Sequence, residues 1–145
     1  AAIGLARALS RVDTSALLLL EAQRNLYKIM TEISATPENA ASFRSITPEI
    51  VSRLEEQIDL LSVRTEIPGE FIVPGDTQPG AALALARSIV RRAERQVARL
   101  LHDHEIENGE ILRYLNRLSS LCFILELIEG QTAGNDKPTL AKQES

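Results

Sequence analysis

The 145-residue chain has one cysteine, Cys122, one methionine and no tryptophan. A single cysteine excludes a disulfide framework within the chain and suits a reducing compartment, so a cytoplasmic location is expected. Aromatic residues make up only 3% of the sequence. Leucine, isoleucine and alanine must therefore fill the core, which favours packed helices over a sheet sandwich. No apolar run approaches the roughly 18 residues that a membrane-crossing helix needs, and no membrane is expected as a partner. Positive charge is not in excess: the net charge of −4 argues against bulk nucleic-acid binding. Internal repeats, low-complexity segments, a Ser/His/Asp arrangement, a CxxC pair and a Walker-type GxxxxGK(S/T) are all missing.

What is there is a chain of ordinary globular composition, 44% hydrophobic and 25% charged, long enough for one domain with a real core. Five helical segments are legible. The first, about Ala1 to Leu9, reads as the end of a helix cut short, so the natural N-terminus is expected to lie before Ala1. The second runs from about Ser15 to Ser34 behind the caps Asp13 and Thr14, with apolar positions at Leu19, Ala22, Leu26, Ile29, Met30 and Ile33. The third starts at the cap Thr47 with Pro48 in its first turn, and buries Ile50, Leu54, Ile58 and Leu61. The stretch from Arg64 to Gln78, with two prolines and two glycines, reads as a long connection of the kind that often carries function. The fourth helix spans about Pro79 to His102, with an expected apolar face of Ala82, Leu85, Ala86, Ile89, Ala93, Val97 and Leu100. The fifth runs from about Asn108 to Glu129, with Gly130 as terminator, and is apolar on more than one side. Residues 131–145 are polar and aperiodic and read as a disordered tail. The expected architecture is an all-α, five-helix up-and-down bundle over residues 1–130 with its first helix truncated.

The fourth helix carries the strongest chemical signal. Arg87, Arg91 and Arg95 are spaced four apart and stack along one side, opposite the apolar face. Like charges at this spacing destabilise an isolated helix by about 0.2–0.5 kcal/mol per pair. A solvated basic face is the plain reading, with Glu94 in helical reach of Arg91 as a partial neutraliser. One carboxylate cannot balance Arg87, Arg91, Arg92 and Arg95, and arginine's forked donors match phosphate oxygens, which puts a small anionic ligand ahead. In the connection, Phe71 precedes a rigid Pro74-Gly75 turn; taken alone, a phenylalanine plugging the end of the bundle explains it. Asn116 lies between apolar neighbours, where it either caps a polar network or reads a ligand's hydrogen-bonding edge. His102, Asp103, His104 and Glu105 resemble a metal cluster but read as a solvated helix end, so no protein metal site is expected.

Three ordered motifs, FIVPGD at Phe71, RSIVRRAER at Arg87 and YLNRLSS at Tyr114, resemble the F-x-x-P-G-G, R-x-x-x-R-R-A-E-R and Y-L-N-R-L-S-D motifs of the PduO-type ATP:cob(I)alamin adenosyltransferase family. The resemblance covers about residues 1–130. It implies a ferritin-like five-helix bundle that assembles as a homotrimer, with ATP, magnesium and a cobalamin substrate in sites between subunits. The implied reaction moves the 5′-deoxyadenosyl group of ATP to Co(I), releasing triphosphate. By motif position, Arg91, Arg92, Glu94, Arg95 and Asn116 would contact ATP, with Arg91 and Arg95 stabilising the leaving triphosphate. Phe71 would sit under the corrin ring and exclude the lower axial ligand, which eases reduction of cobalt to Co(I). Arg87 would pair with an acidic residue of an adjacent subunit.

The chain departs from the pattern at Asp76, where a second glycine is usual, at Ala84, where histidine is common, and at Ser120, where the last motif ends in aspartate. The family's N-terminal T-K-x-G-D-x-G-x-T loop is absent from this sequence, and the enzymatic reading requires it in the full protein ahead of Ala1. Asp76 and Ser120 lean toward the alternative function, a non-catalytic bundle that binds corrinoid or nucleotide as a sensor or carrier. In a third reading, the arginines only pair with carboxylates across subunits.

Overall fold

The computed structural model describes residues 1–142. Five helices, α1 (Ala2–Leu9), α2 (Asp13–Ser34), α3 (Pro48–Val63), α4 (Gln78–His102) and α5 (Gly109–Thr132), are joined by a short 3-10 turn at Ala40–Phe43 and by loops. The expected all-α bundle is what forms. Local chemistry sets the helix starts. The Thr47 hydroxyl accepts from the Ile50 amide (3.4 Å), the Thr77 hydroxyl from the Gly80 amide (3.1 Å) and the Asn108 side chain from the Glu110 amide (3.1 Å). Each cap satisfies a donor that the first helical turn leaves free.

The antiparallel pair α4 and α5 is the centre of the molecule, with α1 packed on α4 and α3 on α5. Helix α5 is buried on several sides, as its sequence suggests: Ile111, Tyr114, Leu115, Leu118, Leu121, Cys122, Ile124 and Leu125 all lie in the core. Burial pushes the Cys122 thiol up to about 12, so it is an inert core residue. Several polar groups carried into the core are matched, although the buried Ser15 hydroxyl has no partner. Asn25 Nδ2 donates to the Tyr114 hydroxyl (3.2 Å). Asn108 Nδ2 donates to Glu32 Oε2 (3.1 Å) and to the Ile46 carbonyl (3.0 Å). The buried Glu129 carboxylate accepts from the Ser10 hydroxyl and the Arg11 amide, which locks the α1–α2 turn against α5.

Three expectations need correction. The inner face of α4 is Ala82, Leu83, Ala86, Val90 and Val97, whereas Leu85 is 51% and Ile89 37% exposed. Ala82 and Ala86 are buried with Leu83 and Val90, so the inner face is rotated from the stripe that the leucines and isoleucine suggested. Met30, expected on the buried face of α2, is exposed, and Asn25 and Glu32 take buried places on that helix. Helix α5 runs through Gly130 and ends at Thr132. There Gly134 (φ 84°) and Asn135 close it: the Asn135 amide bonds the Gly130 carbonyl (2.9 Å) and the Gly134 amide bonds the Gln131 carbonyl (3.0 Å). This is a Schellman closure, and it needs a glycine in the left-handed region at 134.

The closure turns the chain back over the bundle, so residues 131–142 are not the expected disordered tail. Thr139–Ala141 pair with Phe71–Val73 around an antiparallel bridge between Ile72 and Leu140. Residues 143–145 of the expected tail lie outside the described residues.

Leu83 of α4 has no exposed surface and belongs to the core. Leu83→Ala is expected to lower the unfolding free energy by about 2–5 kcal/mol in urea titrations.

Candidate active site

The three sequence motifs meet along one edge of the α4–α5 pair. Arg87, Arg91 and Arg95 ascend α4, Asn116 faces them from α5, and the Phe71–Gly75 loop stands at the N-terminal end of α4. Ile72 and Pro74 of the loop, Ala84, Arg87, Ser88 and Arg91 of α4 and Glu126 of α5 line an open cleft of about 250 Å³.

The arginines differ in their surroundings. Arg87 is half-buried, its guanidinium 5.1 Å from the centre of the Phe123 ring, a cation–π contact that holds it against α5. Arg91, Arg92 and Arg95 are exposed. Seven ion pairs occur among the described residues, and none involves Arg87, Arg91, Arg92 or Arg95. Glu94, the carboxylate within helical reach of Arg91, is engaged elsewhere: its Oε1 accepts from Asn116 Nδ2 at 2.8 Å. The expected partial neutraliser is thus tied across to α5; Arg87, Arg91 and Arg95 line one side of α4 and Arg92 projects about 100° round from Arg91. Asn116 itself is exposed, not buried as its apolar neighbours suggested, and its amide reaches across the α4–α5 groove.

Phe71 does not plug the bundle end. It is 86% exposed and projects from the loop, with Val73 exposed beside it. Gly75, at φ 126°, supplies the reversal after Pro74 in a conformation that side-chain-bearing residues rarely adopt. The departure at Asp76 has a structural counterpart. Its carboxylate accepts from Asn135 Nδ2 (3.0 Å), the Thr139 amide (2.9 Å) and the Thr139 hydroxyl (2.7 Å). The Thr139 amide bond, first among these, holds the Asp76 carboxyl below its usual range.

Sequence reasoning missed Glu126 and Thr139. Glu126 sits where the loop, α4 and α5 meet, and burial raises its carboxyl to about 7, opposed by Arg87 and assisted by Asp76. Because its folded value exceeds the ordinary 4.5, it favours the fold below about pH 4.5, and this contribution is lost as pH rises toward and through 7. Glu126→Gln is therefore expected to gain stability relative to the parent between pH 5 and pH 8, read as the difference in urea midpoint at the two pH values. An equal difference at both would contradict the assignment. Nothing in the sequence marks this glutamate within an apolar stretch, nor Thr139 within a polar one.

The His102–Glu105 segment is exposed, with His104 in the left-handed region at φ 58°. Among the described residues no group of three His, Cys, Asp or Glu side chains could hold a metal ion. A divalent cation here would have to arrive largely coordinated by phosphate oxygens and water, as magnesium commonly does.

Comparison with known proteins gives a consistent answer. The chain is 31% identical over 142 residues to a corrinoid adenosyltransferase of Mycobacterium leprae, covering 93% of this chain and 73% of that protein. It is 39% identical over 89 residues to the corrinoid adenosyltransferase of Bacillus subtilis, and 33% identical over 128 residues to corrinoid adenosyltransferase PduO of Salmonella typhimurium. These matches span 46% and 38% of the respective relatives, less than half of either. Among solved structures, a variant of the PduO-type ATP:corrinoid adenosyltransferase from Lactobacillus reuteri, complexed with cobalamin and ATP, superposes with a TM-score of 0.84 at 27% identity, covering 98% of this chain and 79% of that one. The cobalamin adenosyltransferase family model matches residues 1–129, and with the bundle and the ordered motifs in place, the chain belongs to that family.

Proposed function

We propose that this chain is the helical domain, residues 1–130, of an ATP:corrinoid adenosyltransferase. The observation that carries the reading is the row Arg87, Arg91 and Arg95 along one side of α4, in none of the ion pairs of the described residues, with Glu94 beside it bonded to Asn116 of α5. Arg91, Arg92 and Arg95 bind the triphosphate of ATP, and magnesium, where present, would be held by the nucleotide and would help neutralise its charge. Glu94 and Asn116 hold the nucleotide between α4 and α5. In the reaction, Co(I) of the corrinoid attacks C5′ of the ribose. A Co–C bond forms, the C5′–O bond breaks, and the electron pair leaves with the triphosphate. Negative charge grows on the leaving group, where exposed, preoriented guanidinium groups are most effective. Phe71 lies under the corrin ring and keeps the lower axial position empty, favouring the reduced metal. The protein supplies position and field, and the cobalt supplies the nucleophile.

The assembly that fits is a homotrimer. The exposed Leu85 and Ile89 form an apolar strip on the side of α4 away from Arg87, free to meet a neighbouring subunit, and Arg87 pairs with an acid of an adjacent subunit. A cytoplasmic setting suits the lone buried thiol, and no described helix is long and apolar enough to cross a membrane.

The test is direct. Full-length protein, given ATP, magnesium and chemically reduced cobalamin, is expected to form light-sensitive adenosylcobalamin. Binding of ATP and cob(II)alamin without product would instead support the sensor or carrier.

A further inference from the structure

The Phe71 side chain has almost no packing of its own, yet the proposed reaction asks it to hold a fixed position beneath a large ring. The backbone must therefore supply the rigidity. The Ala141 amide donates to the Phe71 carbonyl at 2.8 Å, and the Val73 amide donates to the Thr139 carbonyl at 2.8 Å. The peptide groups on either side of Ile72 are thus fixed by one strap, Thr139–Ala141. The strap is itself fastened at one carboxylate, Asp76, through Asn135 Nδ2 and through both the amide and the hydroxyl of Thr139. Asp76 immediately precedes Thr77, the cap of α4, so the fastening point is also the start of the arginine helix.

We infer that Asp76 is a positioning residue for Phe71: it anchors the strap that holds the loop backbone, and so presets the wedge against the corrinoid's lower face. The inference rests on the proposed adenosyltransferase reading and extends it to Asp76, where the loop motif departs from its usual glycine, and to Thr139, outside the three motifs. A loop ordered only on binding would spend part of the binding free energy on its own ordering, whereas a strap formed on folding removes that cost from the binding step. Where glycine stands at this position, the carboxylate fastening is not available. In this chain the aspartate is accordingly a substitution with a use, not a degeneration of the loop.

The test compares the full-length parent with Asp76→Ala, Thr139→Val and Thr139→Ser. At saturating ATP, absorption and EPR spectra of bound cob(II)alamin report the fraction of four-coordinate cobalt. Asp76→Ala and Thr139→Val are expected to lower that fraction and the adenosylation kcat several-fold and to leave the Kd for ATP within about twofold. Thr139→Ser keeps the hydroxyl and is expected to retain most of the signal. Hydrogen exchange at the Val73 and Ala141 amides should accelerate in the first two variants and not in the third. An unchanged four-coordinate fraction in Asp76→Ala, unchanged amide protection, or equal losses in Thr139→Ser and Thr139→Val would overturn the inference while leaving the functional reading intact. A parent protein that forms no four-coordinate cobalt at all would overturn both.

Discussion

The Arg91→Ala variant is expected to lose about 10²–10³-fold in kcat/KM for ATP, the usual loss when one preorganised donor to a developing charge is removed. The side chain is exposed and has no carboxylate partner, so its removal orphans no buried group. Stability should change by no more than about 0.5 kcal/mol, which separates a functional loss from a folding one. Arg91→Lys restores the charge without the fork and should recover only part of the rate. Steady-state kinetics with varied ATP, together with ATP binding by calorimetry, measure the effect. Loss of trimer with full ATP affinity would favour the reading in which the arginines serve only to join subunits.

The second large effect is at Phe71. Phe71→Ala removes an 86% exposed ring, so the thermal midpoint should stay close to that of the parent. The adenosylation kcat, in contrast, is expected to fall roughly 10²-fold, the scale on which misplacing a reacting centre acts. ATP affinity should be untouched, because the proposed nucleotide contacts lie along α4 and α5. Phe71→Leu tests whether bulk alone suffices. If the alanine variant keeps parental kcat and parental cobalt spectra, the wedge role is wrong, and the ring's exposure belongs to a subunit contact instead.

These two residues also mark what the sequence could and could not say. Helical periodicity and caps are local, so the five helices, the Thr47 start and the arginine row on α4 were legible. The direction in which α4 faces was not. Both α1 and α5 pack on α4, and that tertiary packing, not the size of Leu85 and Ile89, decides the buried face. Asn116 read as buried because its neighbours are apolar, but a helix packed on several sides still has one open edge, and Asn116 lies on it. The Glu94–Asn116 bond joins residues 22 apart in the chain, a tertiary fact with no local signal. The strap lay furthest from reach. Thr139 and Asn135 sit in a polar, aperiodic stretch, and only the Schellman closure at Gly134 brings them back to Asp76. The resemblance to a known family pointed to the three motifs and could not find this contact, because at Asp76 the chain leaves the family's pattern.

The central claim is that the arginine groove directs displacement at C5′ with triphosphate as the leaving group. The most direct measurement follows ³¹P NMR and corrin absorbance together in one reaction of full-length protein, ATP, magnesium and reduced cobalamin. The account predicts free triphosphate appearing one-for-one with adenosylcobalamin, both lost together in Arg91→Ala. Release of ADP or pyrophosphate, or consumption of ATP without a cobalt–carbon product, would contradict it.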